Sequence, residues 1–270
     1  MSIPDNDRQG TREIVAGTTS GVRKAVVACL GASATRAKGS YDWIRDLEQR
    51  PSNASLRFCR FAQGGDLAYN GLQRLPDVIK SHPDIVIVLL GDNDVLALIS
   101  KKFARFVRLW KHLPSKPSPE WYRENMQAIV CRMKRDTSAR IALCSLLPFG
   151  EDPGSVNPFQ AELNWRIAEY NTILKEIASA EEVSYLPLYE RMQELVLASP
   201  GPTFTGFNFL PFYRNAFSQF VLHKSLDEIG HRNGWRLHTD GIHLNSRGGK
   251  ILADLVQEFI STGTGVDSPT

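Results

Sequence analysis

The most constraining feature of this chain is an uninterrupted apolar run at residues 85–90, which read Ile-Val-Ile-Val-Leu-Leu. A strand that is apolar on both faces must be covered on both faces, and this is typical of the centre of a parallel sheet with helices on either side. No polar residue interrupts the run, so it predicts a buried central strand rather than an edge strand.

Further strand and helix patterns alternate around this run. They predict a three-layer αβα sandwich with an about five-stranded parallel sheet, because parallel neighbours need crossover helices. Pro76 is expected to kink the second helix or to start a new turn there. The predicted strands are 24–30, 56–62, 85–90, 140–147 and 183–186, and the predicted helices are 39–50, 67–81, 121–135, 159–178 and 246–260.

Composition favours one large domain. The chain has 270 residues, of which 42% are hydrophobic and 23% are charged, as in an ordinary soluble α/β protein. Residues 1–22 lack periodicity and predict a flexible N-terminal arm, 23–262 a single domain, and 263–270 a flexible tail. Insertions are expected near 96–119 and 200–235.

Charge and cysteine usage narrow the function classes. The formal net charge of +3 is too small to indicate a nucleic-acid partner, and the four cysteines have no zinc-like spacing. All four lie in predicted strands or helices, where a free cysteine is expected to be a small buried residue. We expect a cytoplasmic, reduced protein without a metal or an organic cofactor. Neither a secretory signal nor a membrane span is recognisable.

Polar or glycine residues follow each of the first three predicted strands. Ser33 follows the first strand, Gly65 the second and Asn93 the third. In an open parallel sheet, ligands bind outside the carboxyl ends of the strands, so these residues are expected to share one edge of the sheet.

A carboxylate and an imidazole lie close together near the C-terminus, in Asp240-Gly-Ile-His243. A neutral histidine acts as a general base when an acceptor holds its other ring N–H, and Asp240 can be that acceptor. Together with Ser33, the chain order is Ser, Asp, His, which is the order of α/β hydrolytic enzymes.

Each of these residues has a structural explanation when taken alone. Ser33 fits a helix N-cap, Asn93 and Asp94 fit a turn after a strand, and Asp240-Gly241 is an ordinary turn signal. Their convergence on one edge favours catalysis. The remaining histidines lack ligand-like spacing and are expected at the surface or at helix ends; they are His82, His112, His223, His231 and His238. His238 lies nearest the candidate site and is expected to have a structural role.

Four separated blocks of sequence resemble the SGNH hydrolases, also called the GDSL esterase/lipase family. Singly these blocks are weak signals, and together and in order they are specific. The resemblance covers most of the chain and implies a flavodoxin-like fold. The blocks are Gly31-Ala-Ser33, Gly64-Gly-Asp66 with Gly71 to Pro76, Gly91-Asp-Asn-Asp94, and Asp240-Gly-Ile-His-Leu-Asn245.

The resemblance implies a Ser33, Asp240 and His243 triad. It also implies an oxyanion hole made by the backbone N–H groups of Ser33 and Gly65 and the side-chain amide of Asn93. Gly65 is preferred to its neighbour because of its spacing to the following helix. One departure is Ala32, where most members carry aspartate, and it affects the hydrogen bonding of the Ser33 loop.

The expected function is hydrolysis of a small-molecule carboxylic ester through an acyl-enzyme. Thioester hydrolysis, carbohydrate deacetylation and lysophospholipid hydrolysis remain open within the family. The alternative is a catalytically silent module of the same fold that binds an acyl, glycan or protein ligand. A dinucleotide-binding protein is disfavoured, because the first strand lacks a glycine-rich phosphate turn.

The two expected insertions are chemically distinctive. Between 101 and 116, six basic residues and no acidic one accompany an apolar stripe, while seven aromatic residues lie between Phe204 and Phe220. The basic helix is expected to be a solvated face packed on the body; the alternative is a lid or a peripheral contact with a membrane or another anionic surface. The aromatic residues fit an acyl or aryl pocket and core packing equally well. The sequence leaves the oligomeric state open.

Overall fold

A five-stranded, all-parallel sheet forms the centre of the protein, as the sequence predicts. The computed structural model describes residues 23–262, and the side chains at 209–212 and 216 fall outside this description. The strands are β1 Ala25–Gly31, β2 Leu56–Ala62, β3 Ile85–Leu89, β4 Arg140–Cys144 and β5 Ser184–Leu186.

Helices connect and cover the strands. Within the described residues the α-helices are α1 Ser33–Arg36, α2 Trp43–Gln49, α3 Ala68–Lys80, α4 Asp92–Ile99, α5 Lys101–Trp110, α6 Pro119–Asp136, α7 Pro158–Ala180, α8 Leu188–Ala198, α9 Phe209–Phe220, α10 Leu226–Arg232 and α11 Ser246–Ser261.

The strand order β2-β1-β3-β4-β5 defines the edge at which ligands bind. The chain runs outward from β1 to β2 and then returns to the other side of β1 as β3, so the order reverses between β1 and β3. This is the flavodoxin-like arrangement, and the crevice at such a reversal is the usual binding site. Ser33 and Asn93 follow the two strands that flank it.

Two apolar cores explain the three layers. Along β1, Ala28 and Leu30 face one core while Val27 and Cys29 face the other, because successive side chains point to opposite faces. The first core includes residues of α3, α4, α6 and α7, and the second includes residues of α2, α8 and α11. All residues of β3 are buried, as the apolar run predicts.

Several predicted boundaries are wrong by a few residues. The helix expected at 39–50 begins only at Trp43, since Asp42 caps it by accepting the N–H of Arg45. The strand expected at 140–147 ends at Cys144. Pro76 does not break α3, because Leu75 and Val78 beside it are buried, and this packing offsets one missing backbone hydrogen bond.

Other sequence-based expectations have mixed outcomes. The arm 1–22 and the tail 263–270 lie outside the described residues, and one domain over 23–262 stays a prediction. Helix α5 lies in the segment 96–119, and α9 and α10 lie in the segment 200–235. Cys29 and Cys144 are buried as expected, whereas Cys131 is exposed because it lies on the outer face of α6.

Candidate active site

Ser33 is the first residue of α1, two residues beyond the end of β1. The N-cap position of this helix is Ala32, and within residues 23–262 the Ser33 hydroxyl makes no hydrogen bond. The N-cap interpretation of Ser33 is therefore wrong. The helix is a single turn, closed by the N–H of Ala37 on the Ser33 carbonyl at 3.0 Å.

Ala32 is packed into the apolar core rather than exposed at the site. Its exposed fraction is 6%, and it belongs to the same buried cluster as Leu67 and Ala68. Apolar packing therefore supports the loop that carries Ser33.

Gly65 occupies a position that strongly favours glycine. Its φ is +73°, and a Cβ atom there would lie 2.7 Å from the ring of Trp110 on α5. The next residue, Asp66, is buried and forms ion pairs with Arg74 and with Lys111, the latter at 2.7 Å. The loop after β2 is thus held from both sides.

Asn93 connects the loops that follow β2 and β3. Its side-chain Nδ2 donates to the Asp66 carbonyl at 2.9 Å, which fixes the amide orientation and leaves the second N–H for another acceptor. The helix N-cap is Gly91, without a side-chain hydrogen bond, so Asn93 does not cap α4.

Asp94 has a structural position beside the site. Its Oδ2 accepts the N–H of Ala68 at 3.0 Å and so ties the start of α3 to α4. Burial raises the pKa of Asp94 to about 8.

The loop with Asp240 and His243 is rigidly built. His243 Nδ1 donates to Asp240 Oδ2 at 2.8 Å, while Asp240 Oδ1 accepts the N–H groups of Ile242 at 3.0 Å and His243 at 2.8 Å. A backbone hydrogen bond of 2.7 Å from Thr239 to the His243 carbonyl closes the loop. The imidazole tautomer with its proton on Nδ1 leaves Nε2 as the acceptor.

Burial and charge act in opposite directions on this pair. Burial disfavours the imidazolium, but the Asp240 carboxylate outweighs it and raises the pKa of His243 above its ordinary value. Burial likewise opposes the charge of Asp240, yet His243 and the two backbone N–H groups lower the pKa of that carboxyl. The loop therefore keeps Asp240 ionised and makes His243 a stronger base.

Asp92, the third carboxyl in this region, was not singled out from the sequence. Its Oδ1 accepts the N–H of Leu147 at 3.2 Å. Burial raises the pKa of Asp92 to about 7, although the N–H of Leu147 and the charge of His243 act in the opposite direction. Asp92 also contributes to the raised pKa of His243.

Four of the five predicted site residues line one cavity of about 300 Å³. These are Ser33, Gly65, Asn93 and His243, and Asp240 lies behind His243 as its hydrogen-bond partner. Most of the other lining residues are apolar or aromatic and come from α4, α5, α9 and the segment before α9; they are Leu96, Phe103, Phe106, Trp110, Phe207 and Tyr213.

A second cavity, also of about 300 Å³, lies on the other side of the His243 loop. Phe207, Ile242 and His243 line both cavities. Phe204 lines the second cavity and also packs against Phe149 of the core, so the aromatic residues of the 200–235 segment contribute both to the cavities and to packing.

The structure contains a buried carboxylate and imidazole pair that sequence reasoning missed. Glu151 Oε1 accepts the N–H of Leu237 at 2.7 Å and of His238 at 3.2 Å, and also lies 2.9 Å from His238 Nδ1. His238 is fully buried rather than at the surface, because this pair anchors the segment that leads into the loop with Asp240 and His243. The available signal was the position of Glu151 beyond the end of β4, at the same sheet edge as the other site residues.

Replacement of Glu151 by glutamine is expected to lower the free energy of unfolding by about 3 kcal/mol. The two oxygens of the Glu151 carboxylate accept several N–H groups, whereas a glutamine amide offers only one acceptor oxygen. Breaking a buried pair typically costs about 3 kcal/mol or more. Urea unfolding at neutral pH measures the effect, with Glu194→Gln on the exposed face of α8 as control.

The pH dependence of that loss is a second readout. Burial opposes ionisation of Glu151, but His238 and the backbone N–H groups prevail and lower its pKa. The stabilisation is thus present above the unfolded-state pKa of about 4.3 and is lost as pH falls through the lower folded-state pKa. Equal stability of wild type and Glu151→Gln at neutral pH would contradict the anchoring role.

The remaining histidines agree largely with expectation. His82, His112 and His223 have φ values near +50° just beyond helix ends, and His231 lies in the last turn of α10. Residues 23–262 contain no group of three or more His, Cys, Asp or Glu placed to hold a metal ion. In the same part of the chain, no helix combines the length and apolar character that crossing a membrane requires.

Solved structures with the same fold are distant in sequence. An acetyl xylan esterase, AlAXEase, is 18% identical with a TM-score of 0.59, covering 87% of this chain and 99% of its own. Axe2, an acetylxylan esterase from Geobacillus stearothermophilus, is 16% identical with a TM-score of 0.60, covering 88% and 96%. A lipase/acylhydrolase from Enterococcus faecalis is 18% identical with a TM-score of 0.56, covering 88% and 96%.

Comparison with curated proteins finds no match. The family model is more decisive, because it spans both the block at Gly31-Ala-Ser33 and the block from Asp240 to Asn245. Residues 18–251 match the GDSL-like lipase/acylhydrolase family, and this chain therefore belongs to that family of ester hydrolases.

Proposed function

We propose that this protein is a serine hydrolase that cleaves carboxylic esters through an acyl-enzyme. The observation that carries the proposal is the convergence of Ser33, Gly65, Asn93 and His243 on one cavity, with Asp240 orienting His243. A nucleophile, an oriented base and amide donors at one cavity are the groups that acyl transfer needs.

In the proposed first step, the Ser33 hydroxyl oxygen attacks the ester carbonyl carbon while its proton moves to His243 Nε2. Ser33 and His243 line the same cavity without a hydrogen bond between them, and such contacts commonly tighten only when substrate binds. Asp240 stabilises the imidazolium that forms, and it keeps the imidazole in the tautomer that accepts at Nε2.

The negative charge on the carbonyl oxygen is met by amide donors. The backbone N–H groups of Ser33 and Gly65 are proposed donors, together with the second N–H of the Asn93 amide. Because Asn93 is already held by the Asp66 carbonyl, its donor needs no reorganisation when the charge develops.

Collapse of the tetrahedral intermediate breaks the bond between the carbonyl carbon and the alcohol oxygen. His243 returns its proton to the leaving alcohol, and the acyl group remains on Ser33. Water then attacks the acyl-enzyme with His243 as base, which releases the acid and restores the serine.

The residues that line the cavity indicate the size of the substrate's apolar part. Two of the solved structures with this fold are acetylxylan esterases, which supports ester hydrolysis in general terms. In this chain, however, aromatic rings of α5 and Phe207 line the cavity, and such a wall gains little from an acetyl group. We therefore propose a substrate with a larger apolar part.

The proposal is tested with a fluorophosphonate probe and with p-nitrophenyl esters of graded acyl length. The expected result is covalent labelling of Ser33, located by mass spectrometry, and turnover that rises from acetate to longer acyl chains. Absence of both labelling and turnover would favour the alternative, a silent binding module of the same fold, for which Ala32 is the only supporting residue.

Replacement of Asn93 by alanine is expected to lower kcat about a hundredfold to a thousandfold, with little change in KM. The donor acts mainly on the charge that develops in the transition state. Steady-state kinetics measures both constants, and retained fluorophosphonate labelling together with an unchanged Tm shows that Ser33 and the fold are intact. An unchanged kcat would remove Asn93 from the oxyanion hole.

Contact of residues 101–116 with an anionic surface stays a prediction. Helix α5 is packed on the body through buried Phe103 and Val107, which agrees with a solvated basic face. Leu109 and Trp110 are nevertheless 77% and 46% exposed, so part of the apolar stripe faces outward.

A further inference from the structure

We propose that Arg36 and Lys38 form an anion-binding subsite at the candidate active site, and that the substrate is an ester with both an apolar part and a negative charge. This inference rests on the proposed ester hydrolysis and names the substrate class of that site. Neither residue belongs to the sequence blocks that carry the chemistry.

The two cations lie on the segment that carries the nucleophile. Arg36 is the last residue of α1, three residues after Ser33, and Lys38 follows the left-handed Ala37 that ends the helix. Both residues line the cavity that contains Ser33 and His243. Arg36 is half-buried and Lys38 is exposed, so the pair extends from the cavity to solvent.

Neighbouring carboxylates are already paired with other cations. Asp42 pairs with Arg60, and Asp66 pairs with Arg74 and Lys111. Asp240 is the hydrogen-bond partner of His243.

Arg36 and Lys38 remain without such a partner. Over residues 23–262, neither side chain forms an ion pair or a hydrogen bond, and no aspartate or glutamate lines this cavity. Two cations without a counter-charge beside a nucleophile favour a bound anion.

Much of the remaining lining of the same cavity is apolar. Phe103 and Phe106 of α5 contribute to it, and Phe207 packs edge-on against Phe103 with ring centroids 4.9 Å apart. An ester with only a polar alcohol and a short acyl group would leave the apolar lining exposed to water. A neutral lipid ester would cover that lining but would offer no charge to Arg36 and Lys38. An amphiphilic anion, with a carboxylate, sulfate or phosphate at one end, uses both.

The experiment compares matched anionic and neutral esters in two arms. In the acyl arm, the mono-p-nitrophenyl ester of suberic acid, which keeps a free carboxylate, is compared with the neutral diester in which that carboxylate is methylated. In the alcohol arm, the octanoate ester of para-hydroxybenzenesulfonate is compared with that of the neutral sulfonamide. The enzymes are wild type, Arg36→Gln, Lys38→Gln, the double variant, and Arg105→Gln as a control cation on α5 that does not line the cavity.

We expect the double variant to lose about tenfold in kcat/KM for the anionic ester of at least one arm, and less than about twofold for its neutral partner. The arm that responds identifies the end of the substrate that carries the charge. Added salt is expected to reduce the preference of the wild type, and Arg105→Gln is expected to behave like wild type. Equal losses on anionic and neutral esters, or none, would overturn the subsite.

A binding measurement separates failure of this inference from failure of the proposed function. Calorimetric titration of octyl sulfate into Ser33→Ala protein needs no chemistry. Binding that weakens about tenfold with the added Arg36→Gln and Lys38→Gln substitutions would support the subsite even if no ester is turned over. Ser33-dependent turnover of neutral esters without any charge-dependent binding would leave the hydrolase and remove the subsite.

Discussion

Replacement of Ser33 by alanine is expected to reduce ester hydrolysis by about 10⁴-fold or more in kcat and to abolish fluorophosphonate labelling. The hydroxyl is the proposed nucleophile, and removal of a triad member leaves only the contribution of substrate binding and the oxyanion donors. Initial rates on a p-nitrophenyl ester, measured with protein free of background esterase, give the ratio.

The control for this experiment is Ser52→Ala. Ser52 is exposed on the short turn before β2, away from the cavity, and its loss is expected to leave turnover unchanged. An unchanged Tm for Ser33→Ala is also expected, since the Ser33 hydroxyl makes no hydrogen bond within residues 23–262. Turnover by Ser33→Ala at the wild-type rate would refute the proposed nucleophile.

Replacement of Asp240 by asparagine is expected to lower kcat about 10⁴-fold and to move the acid limb of the pH profile to lower pH. Asparagine cannot hold His243 with its proton on Nδ1 as the carboxylate does, so the base is lost from most molecules. The shift follows from charge, because Asp240 contributes more than Asp92 to raising the pKa of His243 against the effect of burial.

The direction of the pH effect can be stated for the wild type. His243 acts as a base only when neutral, so kcat/KM falls as pH drops through its pKa. Since that pKa is raised, the midpoint of the acid limb is expected above the ordinary histidine value of about 6.5. The Asp240→Asn midpoint is expected below that of the wild type.

Asp77→Asn on the exposed side of α3 is the matched control for loss of a carboxylate. Its pH profile and kcat are expected to equal those of the wild type. Titration of the His243 ring by NMR provides a readout that does not depend on residual activity. An Asp240→Asn profile with the wild-type midpoint would show that another group sets the acid limb, and Asp92 beside His243 would be the next candidate.

Secondary structure was predictable where the signal is local and strong. The apolar run at 85–90 identified the central strand, since burial on both faces leaves no place for a polar residue. Boundaries were less predictable. Asp42 rather than Gly39 sets the start of α2, because the cap depends on a side-chain hydrogen bond that periodicity does not report.

The candidate site was predictable as a set of positions. Ser33, Gly65 and Asn93 follow three parallel strands, and parallel strands end at the same edge. The spacing to the following helix favours Gly65 over Gly64 as the backbone donor, and this stays a prediction. Gly65 has a positive φ and a close contact with Trp110, whereas a Cβ atom on Gly64 would meet nothing within 4 Å.

The anchoring of the site was not predictable. Glu151 holds backbone N–H groups at Leu237 and His238, more than eighty residues along the chain, and no periodicity links the two segments. The partner of Lys111 in the basic segment was likewise not predictable: Lys111 forms an ion pair with Asp66 instead of contributing to an exposed basic face. Sequence patterns show that a residue is polar, and they do not show which distant partner satisfies it.

The sequence by itself determined the parallel sheet, the edge that carries the candidate site, and the residues proposed for acyl transfer. These follow from apolar periodicity and from chain order, which are properties of short segments. Only the tertiary structure decided that α5 covers Gly65, that aromatic rings and the pair Arg36 and Lys38 share one cavity, and that Glu151 fixes the histidine loop. These contacts join residues far apart in the chain, and packing of whole helices, rather than local preference, selects them.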